Sequence, residues 1–93
     1  MEIEHVKNGN KGSFKATHNG QYAGEMTYVF AGETKFIIDH TEVEEAFGGQ
    51  GVGLTMVLAS VDFAREKDLK ILPLCPFAKS VFDKRQDLRD VLS

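Results

Sequence analysis

Between positions 48 and 53 the chain reads Gly48-Gly49-Gln50-Gly51-Val52-Gly53, a stretch in which the backbone is the chemically available group. Glycines let the main chain turn tightly and let an anion approach with no Cβ in the way. Beyond them Leu54, Val57, Leu58 and Val61 recur at the spacing of one helix face. The first N–H groups of a helix have no intrahelical partner, and the helix dipole favours negative charge at that end. No Ser, Thr, Asp or Asn stands at this helix start to cap those donors. A glycine-lined, uncapped helix start suits a phosphate or pyrophosphate; the plainer alternative is a glycine turn with no ligand. Two familiar phosphate motifs do not fit. Leu54 and Thr55 stand where a Walker loop needs Lys and Ser or Thr. The spacing of Gly49, Gly51 and Gly53 is not the dinucleotide fingerprint, and the chain is too short for a doubly wound sheet.

Two side chains add reactive groups. Pro76 has the fixed φ of a first helical position, which places Cys75 at or near an N-cap. A thiol there feels the positive helix end and can have a lowered pKa, which suits a nucleophile or proton donor. The alternative is a small buried residue. His40 offers an imidazole that exchanges its proton near neutrality. Strand parity points it the same way as Phe36 and Ile38; the alternative is a buried histidine bonded to a carbonyl. Glu42 and Glu44 are further bases or simply a solvated acidic stretch.

The elements that must position these groups change period midway. Ile3 to Lys7, Ser13 to His18, Gln21 to Phe30 and Thr34 to Val43 read as strands. Asn8 to Gly12 reads as a turn, Asn19-Gly20 as a type I′ hairpin, and Ala31-Gly32-Glu33 as a third turn. Phe36-Ile37-Ile38 is apolar at consecutive positions, which predicts cover on both faces. After the glycine loop a helix runs to Glu66 or Lys67, Ile71-Leu72 opens a fifth strand, and a last helix starts near Pro76, with a short turn of helix at Gln86 to Leu92. Strand, helix, strand in that order implies a right-handed parallel crossover. The fold class expected is α+β: an antiparallel sheet of about four strands, then a helix, a fifth strand parallel to the fourth, and a C-terminal helix.

Composition limits the partners. The 93 residues, 42% of them hydrophobic, suffice for one domain spanning 1–93 with an ordinary core. No apolar run approaches the ~20 residues of a membrane span, and Met1-Glu2-Ile3-Glu4-His5 is no secretory signal. One cysteine cannot form an internal disulfide, which suits a reducing cytoplasm. The net charge of −3, with bases interleaved among acids, argues against a nucleic-acid partner. His5, His18 and His40 have no metal-ligand spacing to Cys75, so no metal is expected. An exposed sheet edge leaves a monomer or a weak homodimer.

The order of buried strand, Gln50-Gly51-Val52-Gly53-Leu54, amphipathic helix and strand resembles the GNAT superfamily of acyl-CoA N-acyltransferases. The family's acetyl-CoA loop reads Gln or Arg, two residues, Gly, one residue, Gly or Ala. Its glycines fall on Gly51 and Gly53, whereas its Gln or Arg position falls on Gly48, a departure that removes a loop-closing side chain. Asp39-His40-Thr41-Glu42-Val43 and Pro73-Leu74-Cys75-Pro76-Phe77 are similar to a short GNAT-like subfamily. The motif likeness covers roughly Thr34 to Phe82; the N-terminal hairpins fit by secondary structure alone. The two helices that usually follow the family's first strand, and that help wall the acceptor site, have no counterpart here.

The resemblance implies acetyl-CoA as cosubstrate, with coenzyme A held at Thr41, Val43, Gly48, Gly49, Gln50, Gly51, Val52, Gly53, Leu54 and Pro76. It implies His40 as base toward an acceptor amine, and Cys75 as acid or transient acyl acceptor. The family's usual acid is a tyrosine after the fifth strand, but this chain has only Tyr22 and Tyr28, so the acid is unassigned. Lys79, Lys84 and Arg85 are possible phosphate contacts or solvated surface, and Phe77 is assigned to the core or to the pantetheine arm. The function expected is N-acetyl transfer to an unknown amine, small or on a protein. The alternatives are an acetyl-CoA-binding module without efficient transfer and a purely structural domain.

Overall fold

The computed structural model describes all of residues 1–93. One sheet holds five strands in sequence order: β1 (Glu2–Asn8), β2 (Lys11–His18), β3 (Gln21–Phe30), β4 (Lys35–Val43) and β5 (Lys70–Pro73). The first four pair antiparallel, and β4 and β5 pair parallel. Helix α1 (Val52–Lys67) makes the crossover, and α2 (Pro76–Lys84) follows β5. This is the α+β arrangement that the change of period implies. β1 runs into β2 through Gly9-Asn10 alone, since Asn8 already pairs with Lys11. The turn is therefore shorter than the Asn8-to-Gly12 expectation, and no helix lies between the first two strands. Asn19 and Gly20 have φ of 52° and 82°, as a type I′ turn requires.

One contiguous core fills the inner face. Phe14, Met26, Tyr28, Phe36, Ile38 and Ile71 point inward from the strands. Met56, Val57 and Val61 of α1 and Ala78, Val81 and Phe82 of α2 close over them. α1 ends at Asp68, whose left-handed φ of 56° lets its N–H cap Ala64 and Arg65. A 3₁₀ segment, Gln86–Val91, then carries Leu92 against β5, where the Ser93 N–H donates to Ile71 O at 2.8 Å. Arg65 fastens that segment to α1 through Asp90 at 2.8 Å.

Two expectations about β4 need correction. Phe36 and Ile38 are fully buried, but Ile37 is half-buried on the outer face beside Val29 and Leu72, with no helix over them. The apolar run is thus covered on one face. The register also breaks: Tyr28 pairs with Ile38, yet Thr27 pairs with His40. Asp39 is the extra residue of a β-bulge, which reverses the alternation beyond it. His40 therefore lies on the exposed outer face, opposite to Phe36 and Ile38, and Thr41 and Val43 take the inner positions.

Candidate functional site

β4 and β5 stay together only as far as Ile38 and Pro73. There the N–H groups of Leu74 and Cys75 both donate to Ile38 O, each at 3.1 Å. Beyond this shared carbonyl β4 pairs only with β3, while the chain after β5 turns into α2. The sheet opens into a split between Thr41–Val43 and Cys75.

At the end of that split β4 passes through a 3₁₀ turn, Glu45–Phe47, into the glycine loop. Phe47 is pinned edge-on to His18, with ring centroids 5.8 Å apart. Gly49 and Gly51 have φ of 79° and 77°, the left-handed region that only glycine enters freely. A Cβ built on either would meet nothing within 4 Å, so both face open space. Gly51 is the N-cap of α1 without any side-chain cap, and Thr55 N–H makes the first helical bond, to Gly51 O at 2.9 Å. The amides of Val52, Gly53 and Leu54 are left without helical acceptors, and no acidic residue stands in that first turn. The loop therefore fits an anion: open glycines, uncapped amides and the positive end of a 16-residue helix coincide.

A cleft of about 450 Å³ lies over these amides. It is lined by Val43 and Phe47, by Gly48, Gly49, Gly51, Val52 and Gly53 of the loop and helix start, and by Leu54 and Phe77. Phe77 is 41% exposed and lines this cleft, outside the core. Its ring sits where a Cβ on Gly53 would be, 2.5 Å from that position, so glycine lets α1 and α2 approach. Of the positions expected to hold a cofactor, the structure brings Val43, Gly48, Gly49, Gly51, Val52, Gly53 and Leu54 together around the cleft. Thr41 lies deeper in the split, Gln50 is exposed and does not line the cleft, and Pro76 is exposed at the first position of α2. Phe47 was not singled out by sequence; an aromatic directly before the glycine run was its only signal.

Cys75 is the N-cap of α2, as Pro76 implies, and is 6% exposed. Its thiol donates to Thr41 Oγ1 at 3.3 Å across the split. Burial pushes the thiol pKa up, but the Thr41 hydroxyl and the backbone of Ala78, Phe77 and Thr41 favour the thiolate and leave it lowered overall. No full capping hydrogen bond reaches the sulfur, yet the backbone of Phe77 and Ala78 in the first turn of α2 is near enough to favour the thiolate. His40 does not join Cys75 on the inner side.

Neither tyrosine reaches the cleft. Tyr28 is buried and bonded to His5 Nε2. Tyr22 sits on the outer face and donates to Glu42 Oε1 at 3.1 Å. Burial, that hydrogen bond, and the charges of Glu42, Glu25 and Glu44 push its pKa up to about 12. Among the basic residues, Lys79 pairs with Asp83 and Arg85 with Asp87. Lys84 has no acidic partner and lines a smaller depression of about 260 Å³ that shares Leu54 and Phe77 with the cleft. No helix is long and apolar enough to cross a membrane.

Comparison with known proteins converges on one family. The model of GCN5-related N-acetyltransferases matches residues 13–91. Protein NATD1 of Xenopus tropicalis is 30% identical over 76 residues, covering 81% of this chain and 68% of that protein. The solution structure of a GCN5-like protein from Staphylococcus aureus superposes with a TM-score of 0.71 at 38% identity, over 97% of this chain and 87% of that one. A GNAT family acetyltransferase from Elizabethkingia anophelis with acetyl-CoA bound shares the fold, with a TM-score of 0.63 at 20% identity over 70% of this chain and 43% of that one.

Proposed function

This chain belongs to the GCN5-related N-acetyltransferase family, and on that premise we propose that it binds acetyl-CoA and passes the acetyl group to an amine. The observation that carries the reading is continuity. The uncapped amides of Val52 to Leu54 open onto a cleft lined by Val43, and Val43 is two residues along β4 from Thr41, which meets Cys75 across the split. In this reading the loop Gly48 to Leu54 holds the pyrophosphate, and backbone groups of Thr41 to Val43 line the pantetheine arm. Gln50, in the loop, and Pro76, at the start of α2, are exposed and stand outside the cleft lining. Acetyl-CoA supplies an acyl carbon activated as a thioester; transfer forms a C–N bond and breaks the C–S bond.

The chain's own groups handle two protons. His40, on the outer face at the bulge, takes the one lost by the amine. Cys75, with its lowered pKa, gives its thiol proton to the departing sulfur and is recharged from water. Cys75 as transient acyl acceptor is distinguished from this by intact-mass analysis, where a stable acetyl adduct lost in Cys75→Ala marks the relay. A reducing, cytoplasmic setting suits a free thiol with these properties.

The test is calorimetric titration with acetyl-CoA followed by amine turnover. Binding that raises the melting temperature supports the reading, and no binding at millimolar acetyl-CoA overturns it. The bare outer face and the absence of a tyrosine from the cleft favour a second reading, an acetyl-CoA-binding module; binding without turnover on a broad amine panel would establish it.

A further inference from the structure

The glycine cleft uses only the inner side of the split. On that side Val52 and Ala78 are buried and the two helices close the way. On the other side the sheet is bare, and its residues are sorted. Val29, Ile37 and Leu72 stand in direct register across β3, β4 and β5, forming a half-buried apolar row. Leu74, 61% exposed, extends that row to the lip of the split.

One step along the strands the character changes. Thr27 donates to Asp39 at 2.6 Å, Glu25 stands opposite Glu42, and Tyr22 holds Glu42. Two basic residues stand among these carboxylates: His40, next to Asp39 and opposite Thr27, and Lys15, with its Nζ 5.9 Å from the Tyr22 ring centroid. Lys11, Lys35 and Lys70 lie toward the opposite end of the same face. The face is therefore polarised, with its acidic end at the split.

We infer that this outer face docks a lysine-bearing polypeptide segment in extended form, with the lysine at Asp39 and Glu42 and an apolar side chain two residues away on Ile37, Leu72 and Leu74. This rests on the acetyl-transfer reading for its direction, because it makes the docked lysine the acceptor. The spacing follows from β geometry: two residues of strand span about 7 Å, and Ile37 and Asp39 are two residues apart. The choice of a polypeptide over a small amine follows from shape. Asp39 and Glu42 line no cavity, so a small amine held there would stay largely uncovered, whereas a polypeptide can spread from them to the depression of about 330 Å³ beside Leu72 and Leu74.

The experiment is an amide chemical-shift titration of the intact chain saturated with acetyl-CoA. Three probes are compared: capped Gly-Leu-Gly-Lys-Gly, capped Gly-Ser-Gly-Lys-Gly, and spermidine. The leucine peptide should shift Ile37, Asp39, Leu72 and Leu74, and the serine peptide should bind about fivefold more weakly for loss of the apolar contact. Asp39→Asn with Glu42→Gln keeps the acceptors for Thr27 and Tyr22 and so keeps the fold. That variant should weaken the leucine peptide about fivefold, and added salt should do the same to the unaltered chain. Shifts confined to the inner cleft, no shifts at all, or spermidine binding as well as the leucine peptide would overturn the inference. The amides of Gly51 to Leu54 report acetyl-CoA separately. If they stay still while the outer face takes the peptide, the cofactor reading fails and the docking surface stands.

Discussion

Two ends of the sheet are built from opposite materials. At one end large rings pack directly. His5 stacks on Phe14 at 4.3 Å and 12°, Phe63 meets His5 edge-on at 4.5 Å, and Tyr28 leans on Phe36 at 4.9 Å. At the other end Phe47 and Phe77 flank the cleft, but the residues between them are small or lack a side chain: Gly24, Gly48, Gly49, Gly51, Gly53, Cys75 and Ala78. α1 joins the two, with Phe63 at the aromatic end and its bare amides at the open one. The difference teaches where stability and access reside. Apolar burial near Phe36 holds the strands together, so the far end can keep left-handed glycines and unpaired amides that would be a liability in a core.

The comparison breaks most visibly at the aromatic end. Phe36→Ala should cost about 3–5 kcal/mol in urea unfolding, because a fully buried ring leaves a cavity. The folded fraction should bind acetyl-CoA as before; a loss below about 1 kcal/mol would show that this end does not anchor the fold. Gly51→Val reverses the pattern. Strain at a φ of 77° should cost about 1–2 kcal/mol, while acetyl-CoA affinity should fall at least about tenfold, since the side chain enters the anion's place. Unchanged affinity by calorimetry would mean that the loop is not the anion site.

Smaller effects follow from proton equilibria. Burial, and then the charge of Lys7, holds the His5 pKa below its usual value. The unfolded chain therefore binds the proton more readily, and stability falls as pH drops below about 6.5. His5→Gln should flatten that part of the melting-temperature profile, and an unaltered slope would remove His5 as its source. Smallest is Thr41→Val. Losing the hydroxyl beside Cys75 should move the pH midpoint of thiol alkylation upward, with stability changed by less than about 1 kcal/mol. A midpoint that stays in place would leave the backbone of Phe77, Ala78 and Thr41 as the cause.

Much of the frame was legible because local physics decides it. Asn19-Gly20 favours a tight turn with positive φ, and Pro76 favours the first position of a helix, which puts Cys75 on its cap. What misled was parity. One inserted residue at Asp39 turned His40 to the outer face, and nothing in the local sequence marks a bulge that forms only when β3 lies alongside. Phe77 was likewise illegible, because its position depends on how closely α2 meets Gly53.

The amino-acid sequence by itself determined the order of elements, the glycine-lined start of α1 and the capping position of Cys75, since each depends on residues within one turn or hairpin. Only the tertiary structure decided that Cys75 meets Thr41, 34 residues away, that β4 and β5 part after Ile38, and that the outer face stays bare. These are matters of register and packing between distant segments, whose free energies are set by neighbours that no local pattern names.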